Sequence, residues 1–164
     1  MEQLVIHGGA GSLEGKTTEA QKMHDSLCKI WEETFEVLQK RSAEDAVRHA
    51  VRMLEDDPVY NAGTGSKLQA DGQIRMSAAL MDGTNNRFSG VINVQNIRNP
   101  IEAAALLSGE KHSILSSAQA TEFCRTKGIP EYNPETEFRR HEYKSNCAGI
   151  HGTVGAVALD KDGH

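Results

Sequence analysis

The dipeptide Gly152-Thr153 combines two residue types that together can perform nucleophilic chemistry. A threonine that becomes an N-terminus carries its own base, because its free α-amine has a pKa of about 8 and can accept the hydroxyl proton directly or through water. A glycine before it leaves the carbonyl that joins the two residues open to attack. Because Gly-Thr also opens many ordinary strands, the dipeptide alone does not decide between a nucleophile and a strand start.

A glycine-rich turn follows the first apolar run and consists of His7, Gly8, Gly9, Ala10 and Gly11. Its glycines permit a tight turn or the close approach of the backbone to another group. The spacing differs from the dinucleotide fingerprint and lacks the Gly-Lys-Ser/Thr ending of a phosphate loop. Nucleotide binding is therefore not indicated, and a simple tight turn remains the alternative to a site.

Three acidic residues, Glu55, Asp56 and Asp57, end a predicted helix, where negative charge opposes the helix dipole. A cation, solvent or a nearby lysine or arginine must compensate them. The spacing is not that of an EF-hand, and the seven histidines include no H-E-x-x-H pair. Neither a calcium loop nor catalytic zinc is indicated.

The elements that must position these residues follow from hydrophobic periodicity and turn residues. Apolar steps of three and four residues predict two packed helices, the second capped by Ser42. Asp71-Gly72 predicts a hairpin turn, and the absence of an apolar period predicts a flexible linker at 130–152. The predicted elements are a strand at 4–6, helices at 17–40 and 43–56, strands at 68–70, 74–81 and 88–97, helices at 100–107 and 116–127, and a strand at 153–159.

Composition restricts the class of partner. The chain has 164 residues, enough for one ordinary domain, and a formal charge of -5, the wrong sign for a generic binder of nucleic acid or anionic membranes. Its longest apolar run, 103–107, is too short to span a bilayer, and its start does not resemble a signal peptide, which predicts a cytoplasmic protein. Cys28, Cys124 and Cys147 show no C-x-x-C spacing and are expected to be reduced and mostly buried.

The last residues of the sequence predict a turn that is not followed by a further strand or helix. The strand at 153–159 is followed by the turn-like residues 160–163 and then by His164. A domain that stops there has an unpaired strand edge, so we expect the sequence to continue in the parent protein.

Five motifs occur in one order and together resemble the plant-type L-asparaginases, also called isoaspartyl peptidases. They are residues 7–11, 54–66, 81–83, 99–100 and 151–160. The resemblance implies an α/β (α+β) fold, the αββα sandwich of the N-terminal nucleophile hydrolases, here incomplete. Residues 1–152 would belong to the α subunit, and residues 153–164 would start the β subunit.

The resemblance also implies the chemistry. Thr153 would attack the Gly152 carbonyl, and the ester formed would be released by water. The freed Thr153 would then attack the side-chain amide of asparagine or the isopeptide carbonyl of a β-aspartyl dipeptide. The residues implied in self-processing are Gly152, Thr153, Asn61, His7, Gly8 and Gly9.

No cofactor is implied as required, but residues 54–64 resemble the family's sodium-binding loop. The implied ligands are the backbone carbonyls of Leu54, Glu55, Asp57, Tyr60, Ala62 and Thr64. The implied macromolecular partners are the β subunit of the same precursor and a second copy in an (αβ)2 homo-oligomer.

Departures from the family leave alternatives. Ser77 stands where many members have aspartate, and the family's substrate clamp and Thr-Gly oxyanion hole lie beyond position 164. A chain without them should be nearly inactive alone, because one oxyanion donor is worth about 3–4 kcal/mol. The alternatives are a threonine hydrolase of another substrate, as in glycosylasparaginase or taspase-like enzymes, and an inactive truncated chain.

Overall fold

The computed structural model describes residues 1–10, 17–145 and 152–164, which form helices and two β-sheets. The elements in chain order are β1 (Gln3–His7), α1 (Thr17–Lys40), α2 (Ala43–Asp56), β2 (Met76–Asp82), β3 (Arg87–Val94), α3 (Pro100–Leu107), β4 (Ile114–Ser116), α4 (Ser117–Thr126), α5 (Glu137–Lys144) and β5 (Gly155–Leu159).

Helices α1 and α2 pack against each other through their apolar stripes, as predicted. Ile30 and Leu38 of α1 and Ala46 of α2 are buried. The hydroxyl of Ser42 accepts a hydrogen bond of 3.1 Å from the backbone N–H of Asp45 and so caps α2. The predicted cap is confirmed.

Strands β1 and β5 form an antiparallel pair in which Val5 lies opposite Val157 and His7 opposite Gly155. Helix α1 packs on β1, helix α2 packs on β5, and Leu4 is buried beneath them. Val5 and Val157 point to the other face and are exposed. This pairing ties the start of the chain to the residues that directly follow Thr153.

Strands β2, β3 and β4 form the second sheet, with β2 and β3 antiparallel and β3 and β4 parallel. Helices α3 and α4 cover one face and bury Val91 and Val94 of β3. The predicted helices at 100–107 and 116–127 are confirmed, and Gly128, with φ +80°, follows the end of α4. The three-residue strand β4 was not predicted, because so short a segment has no measurable period.

The predicted hairpin at Asp71-Gly72 is wrong, although a turn is present. Gly72 has φ +77°, and its N–H donates to the Gln69 carbonyl at 2.8 Å. Residues 68–70 form no strand, and β2 instead pairs with the eight residues of β3. The Asp71 carboxylate accepts from Arg75 and from the N–H of Gln73, so side chains close this turn locally. The longer partner offers more ladder hydrogen bonds than three residues can.

The predicted flexible linker at 130–152 is also wrong at residues 137–144, which form a helix. Helix α5 lies within it, capped by Thr136, whose hydroxyl accepts from the N–H of Arg139 at 3.3 Å. Pro134 and Arg139 are buried. Periodicity failed here because α5 buries an arginine instead of an apolar stripe. Residues 146–151 lie outside the described residues.

The cysteines differ in their exposure to solvent. Cys124 is buried in α4, as predicted, whereas Cys28 is exposed on α1, contrary to the prediction, and Cys147 lies outside the described residues.

The mixed α/β class is confirmed, since each sheet carries helices on one face. Residues of both sheets line one open cleft of about 1520 Å³, larger than a typical small-ligand pocket. Among the described residues, no helix is long and apolar enough to cross a membrane.

Candidate active site at the Gly152-Thr153 junction

The Gly152-Thr153 peptide bond, called the junction below, lies directly before β5 at the wall of the cleft. Thr153 is exposed, two residues before the Gly155 that pairs with His7. Strand pairing therefore fixes the chain immediately after the junction and leaves the threonine accessible.

Asn61 contacts the carbonyl of the junction. Its side-chain Nδ2 donates a hydrogen bond of 3.2 Å to the Gly152 oxygen, and its Oδ1 accepts one of 2.8 Å from the N–H of Lys67. The second bond fixes which amide atom faces Gly152. A donor aimed at a carbonyl oxygen stabilises the negative charge that develops there when a nucleophile attacks the carbon.

The glycine turn lies against the other side of the junction. A methyl group on Gly9 would lie 3.6 Å from Gly152 Cα and 3.7 Å from the Thr153 nitrogen, and Gly9 has φ +109°. A methyl group on Gly8 would come within 2.9 Å of the buried Tyr60 ring. Both positions thus favour glycine, for backbone conformation at Gly9 and for space at Gly8.

Six residues that the resemblance implies in self-processing lie close together in the structure: His7, Gly8, Gly9, Asn61, Gly152 and Thr153. His7 contributes through its backbone, which pairs with Gly155. Their roles in a reaction stay a prediction.

Tyr60 joins the two parts of the site. Its ring lies against Gly8, its hydroxyl donates to the Met23 carbonyl at 3.2 Å, and Asn61 follows it in the chain. Both residues belong to the connection after α2, residues 57–66, called the Asn61 loop below. This loop therefore sets the position of the glycine turn and of the amide that contacts Gly152.

The acidic residues at the end of α2 are compensated by donors of the protein. Asp56 accepts from Arg98 Nε at 2.6 Å, and Asp57 accepts from Ser26 Oγ at 2.6 Å and from the N–H of Val59 at 3.1 Å. The predicted arginine partner is thus present at Asp56, whereas the donors to Asp57 are a hydroxyl and a backbone N–H, which the sequence did not predict.

Glu55 is different, because the residue is buried, with 3% of its surface exposed. Oε1 accepts from the N–H of Ile101 at 3.0 Å, whereas Oε2 has no hydrogen-bond partner among the described residues. Burial raises the pKa of Glu55 to about 8, so the group is mostly neutral at pH 7.

The implied sodium ligands are neutral carbonyl oxygens, which suit a hard cation. Three of them already accept hydrogen bonds: Glu55 O from the N–H of Thr64 at 2.7 Å, Asp57 O from the N–H of Tyr60 at 3.2 Å, and Tyr60 O from Arg139 Nη2 at 3.4 Å. A carbonyl has a second lone pair, so the donor set still fits a cation. Among the described residues, no group of three or more acidic, histidine or cysteine side chains could hold a metal ion.

Arg139 is the residue at this site that the sequence did not reveal. It stands next to Arg140 in the sequence, and it reaches the Asn61 loop from a helix that was not predicted. No local pattern distinguishes it from Arg140.

Comparisons with known proteins agree with the resemblance. A family model described as "Asparaginase" matches residues 1–148. The chain is 42% identical to an "Isoaspartyl peptidase/L-asparaginase" of Synechocystis sp., over 98% of this chain and 55% of the relative. It is 42% identical to a protein of the same name from Nostoc sp., over 98% of this chain and 58% of the relative. It is 37% identical to a "Plant-type L-asparaginase" of Pyrococcus abyssi, over 98% of this chain and 60% of the relative. The chain thus spans somewhat more than half the length of these curated relatives.

Proposed function

The chain belongs to the asparaginase family, and on that basis we propose that the full-length protein is a self-processing amidohydrolase with Thr153 as its nucleophile. Its proposed substrates are L-asparagine and β-aspartyl dipeptides. They are the substrates of the two activities, asparaginase and isoaspartyl peptidase, in the names of its relatives. The observation that carries the proposal is the contact of Asn61 with the Gly152 carbonyl, with Thr153 next in the chain.

Self-cleavage in this proposal begins when Thr153 Oγ attacks the carbonyl carbon of Gly152. The bond from that carbon to the Thr153 nitrogen breaks, the hydroxyl proton passes to the nitrogen, and Gly152 is left as an ester on Oγ. Water then hydrolyses the ester to the Gly152 carboxylate and a free N-terminal Thr153. The Asn61 amide supports this step by donating to the oxygen that becomes negative.

Substrate hydrolysis uses the same hydroxyl. The freed α-amine of Thr153 takes the proton from Oγ, which attacks the side-chain carbonyl of asparagine or the isopeptide carbonyl of a dipeptide. The proton passes to the leaving ammonia or amine. Water then hydrolyses the acyl-enzyme, which releases aspartate.

The proposal includes three features that concern the assembled protein. The carbonyls of residues 54–64 hold a sodium ion that orders the Asn61 loop. The segment that begins at Thr153 remains bound as a β subunit, and two αβ units associate. We also place the protein in the cytoplasm, because its three cysteines show no C-x-x-C spacing and suit reduced thiols.

The test is the variant Thr153→Ala in the full-length protein, with Thr153→Ser beside it. Intact mass under denaturing conditions reports cleavage between Gly152 and Thr153, and ammonia release from L-asparagine reports hydrolysis. We expect Thr153→Ala to abolish both and Thr153→Ser to retain part of each, because the serine keeps a hydroxyl. Thr126→Ala, on the surface of α4, is the matched control and should behave as the wild type. Hydrolysis retained by Thr153→Ala would contradict the assignment of the nucleophile.

The substrate is tested separately with L-asparagine, a β-aspartyl dipeptide and glycosylated asparagine. Turnover of either of the first two supports the proposal. Turnover of glycosylated asparagine alone would favour the glycosylasparaginase alternative.

A further inference from the structure

A buried arginine connects helix α5 to the Asn61 loop. Arg139 is 8% exposed and is the one buried residue of its helix. Its Nε donates to the Gly65 carbonyl at 2.6 Å, and its Nη2 donates to the Tyr60 carbonyl at 3.4 Å. Its Nη1 pairs with Glu142 Oε2 at 3.0 Å. A buried charge is tolerated only with such partners, so the guanidinium and the loop backbone fix each other's position.

The two carbonyls that accept from Arg139 lie on either side of Asn61 in the chain. Tyr60 directly precedes Asn61, and Gly65 ends the next turn with φ +90°. A methyl group on Gly65 would lie 2.6 Å from the Pro58 carbonyl oxygen, so the loop is folded tightly on itself. One guanidinium therefore holds both flanks of the residue whose side chain contacts Gly152.

Other contacts join the segment before α5 to the same loop. The N–H of Gly65 donates to the Pro134 carbonyl at 2.9 Å, and the hydroxyls of Thr64 and Tyr132 are 3.0 Å apart. Glu142 also pairs with Lys67, Nζ to Oε1 at 3.3 Å. The N–H of Lys67 is the group that fixes the Asn61 amide, so the ion-pair network extends to that anchor as well.

We propose that Arg139 is a positioning residue for self-cleavage at the junction. Through the carbonyls of Tyr60 and Gly65 it holds the Asn61 amide against the Gly152 oxygen. It touches neither reacting atom, and its role is to restrict the loop to the arrangement in which the donor is aimed. This inference rests on the proposed self-processing function.

The experiment compares Arg139→Gln, Arg139→Lys and Arg140→Gln in the full-length protein. Arg140 is the matched control, because it is the next residue of α5, is only half-buried, and pairs with Glu135 instead of the loop. The protein is made in a short pulse of cell-free translation, and the rate constant of cleavage is followed during a chase. The same substitutions in a Thr153→Ala background give uncleaved protein whose melting transition reports the folded fraction.

We expect Arg139→Gln to slow cleavage of the folded protein about 10- to 100-fold, the range for a misplaced catalytic group. Arg139→Lys should cleave at an intermediate rate, because lysine keeps the charge but cannot reach both carbonyls as a fork. Arg140→Gln should cleave at the wild-type rate. A purely structural role would lower the melting temperature and leave the cleavage rate of the folded fraction unchanged, and that result overturns the inference.

Three further outcomes can be told apart. If Arg139→Gln shows no cooperative melting, it does not fold, and the cleavage rates of Arg139→Lys and Glu142→Gln are compared with that of the wild type instead. Cleavage of both variants at the wild-type rate overturns the inference. If the wild-type protein itself does not cleave, the proposed self-processing fails, and the role of Arg139 in it fails with it. If the wild type cleaves and all Arg139 variants match it, only the role of Arg139 is wrong.

Discussion

The side-chain amide of Asn61 donates a hydrogen bond of 3.2 Å to the carbonyl oxygen of Gly152, a residue 91 positions later in the chain. The amide is held in turn by the N–H of Lys67, and Gly9 approaches the same peptide from the other side. The carbonyl that Thr153 would attack thus lies between a donor and a turn that leaves it space.

Replacement of Asn61 by alanine should slow self-cleavage about 100- to 1000-fold, the loss typical of one oxyanion donor. The reason is that the Asn61 amide donates to the Gly152 oxygen, on which negative charge develops during the attack. A time course of intact mass in the full-length protein measures it. Asn85→Ala, in the turn after β2, is the control and should cleave as the wild type. Equal rates in the two variants would show that the Asn61 contact has no role in the reaction.

Alanine at Gly8 or Gly9 should destabilise the protein for two different reasons. At Gly9 the positive φ disfavours any side chain, at roughly 1–3 kcal/mol. At Gly8 the added methyl group would overlap the Tyr60 ring, which we expect to destabilise by about 1–3 kcal/mol. Denaturant unfolding measures both losses of stability when each glycine variant is made in the Thr153→Ala protein. Gly83→Ala, where nothing lies within 4 Å, should change stability little, and an equal loss there would contradict the argument.

Stability should fall as the pH rises from about 4.5 to about 8, because of Glu55. Its pKa in the folded state lies above its ordinary value, so its neutral form contributes stability that is complete below pH 4.5 and lost as the pH passes 8. Each unit of pKa shift corresponds to about 1.4 kcal/mol. Denaturant unfolding at several pH values should show that Glu55→Gln removes this component.

The exposed Glu131→Gln is the control for that experiment and should keep the wild-type pH profile. A Glu55→Gln protein whose pH profile matches the wild type would mean that Glu55 titrates normally.

Sodium should raise the melting temperature relative to tetramethylammonium at the same ionic strength, because a ligand that binds only the folded state stabilises it. Gly63→Ala should remove the difference, since the added methyl group would come within 2.2 Å of the Glu55 carbonyl oxygen, an implied ligand. The control Gly83→Ala should retain it. Identical melting of the wild type in both salts would rule out a stabilising sodium site.

Local features of the fold were predictable because neighbouring residues encode them. The apolar stripes of α1 and α2, the Ser42 cap and the start of α3 at Pro100 each depend on residues a few positions apart. The hairpin at Asp71-Gly72 and the linker at 130–152 failed for different reasons. Strand β2 forms its hairpin with β3, which follows after residues 83–86, so the turn after β2 is used instead of Asp71-Gly72. In the linker, Arg139 is buried against the Asn61 loop, 74 positions before it at Gly65.

The sequence by itself determined the family resemblance, the two paired helices and the residue types at the junction. Motifs and hydrophobic periodicity depend on residues that are close together in the chain, so they can be recognised without the structure. Only the tertiary structure decided that Asn61 faces Gly152 and that Arg139, unlike its neighbour Arg140, is buried against the Gly65 carbonyl. Such contacts join residues dozens of positions apart. Their geometry is set by how helices and strands pack, which no local pattern of residue types specifies.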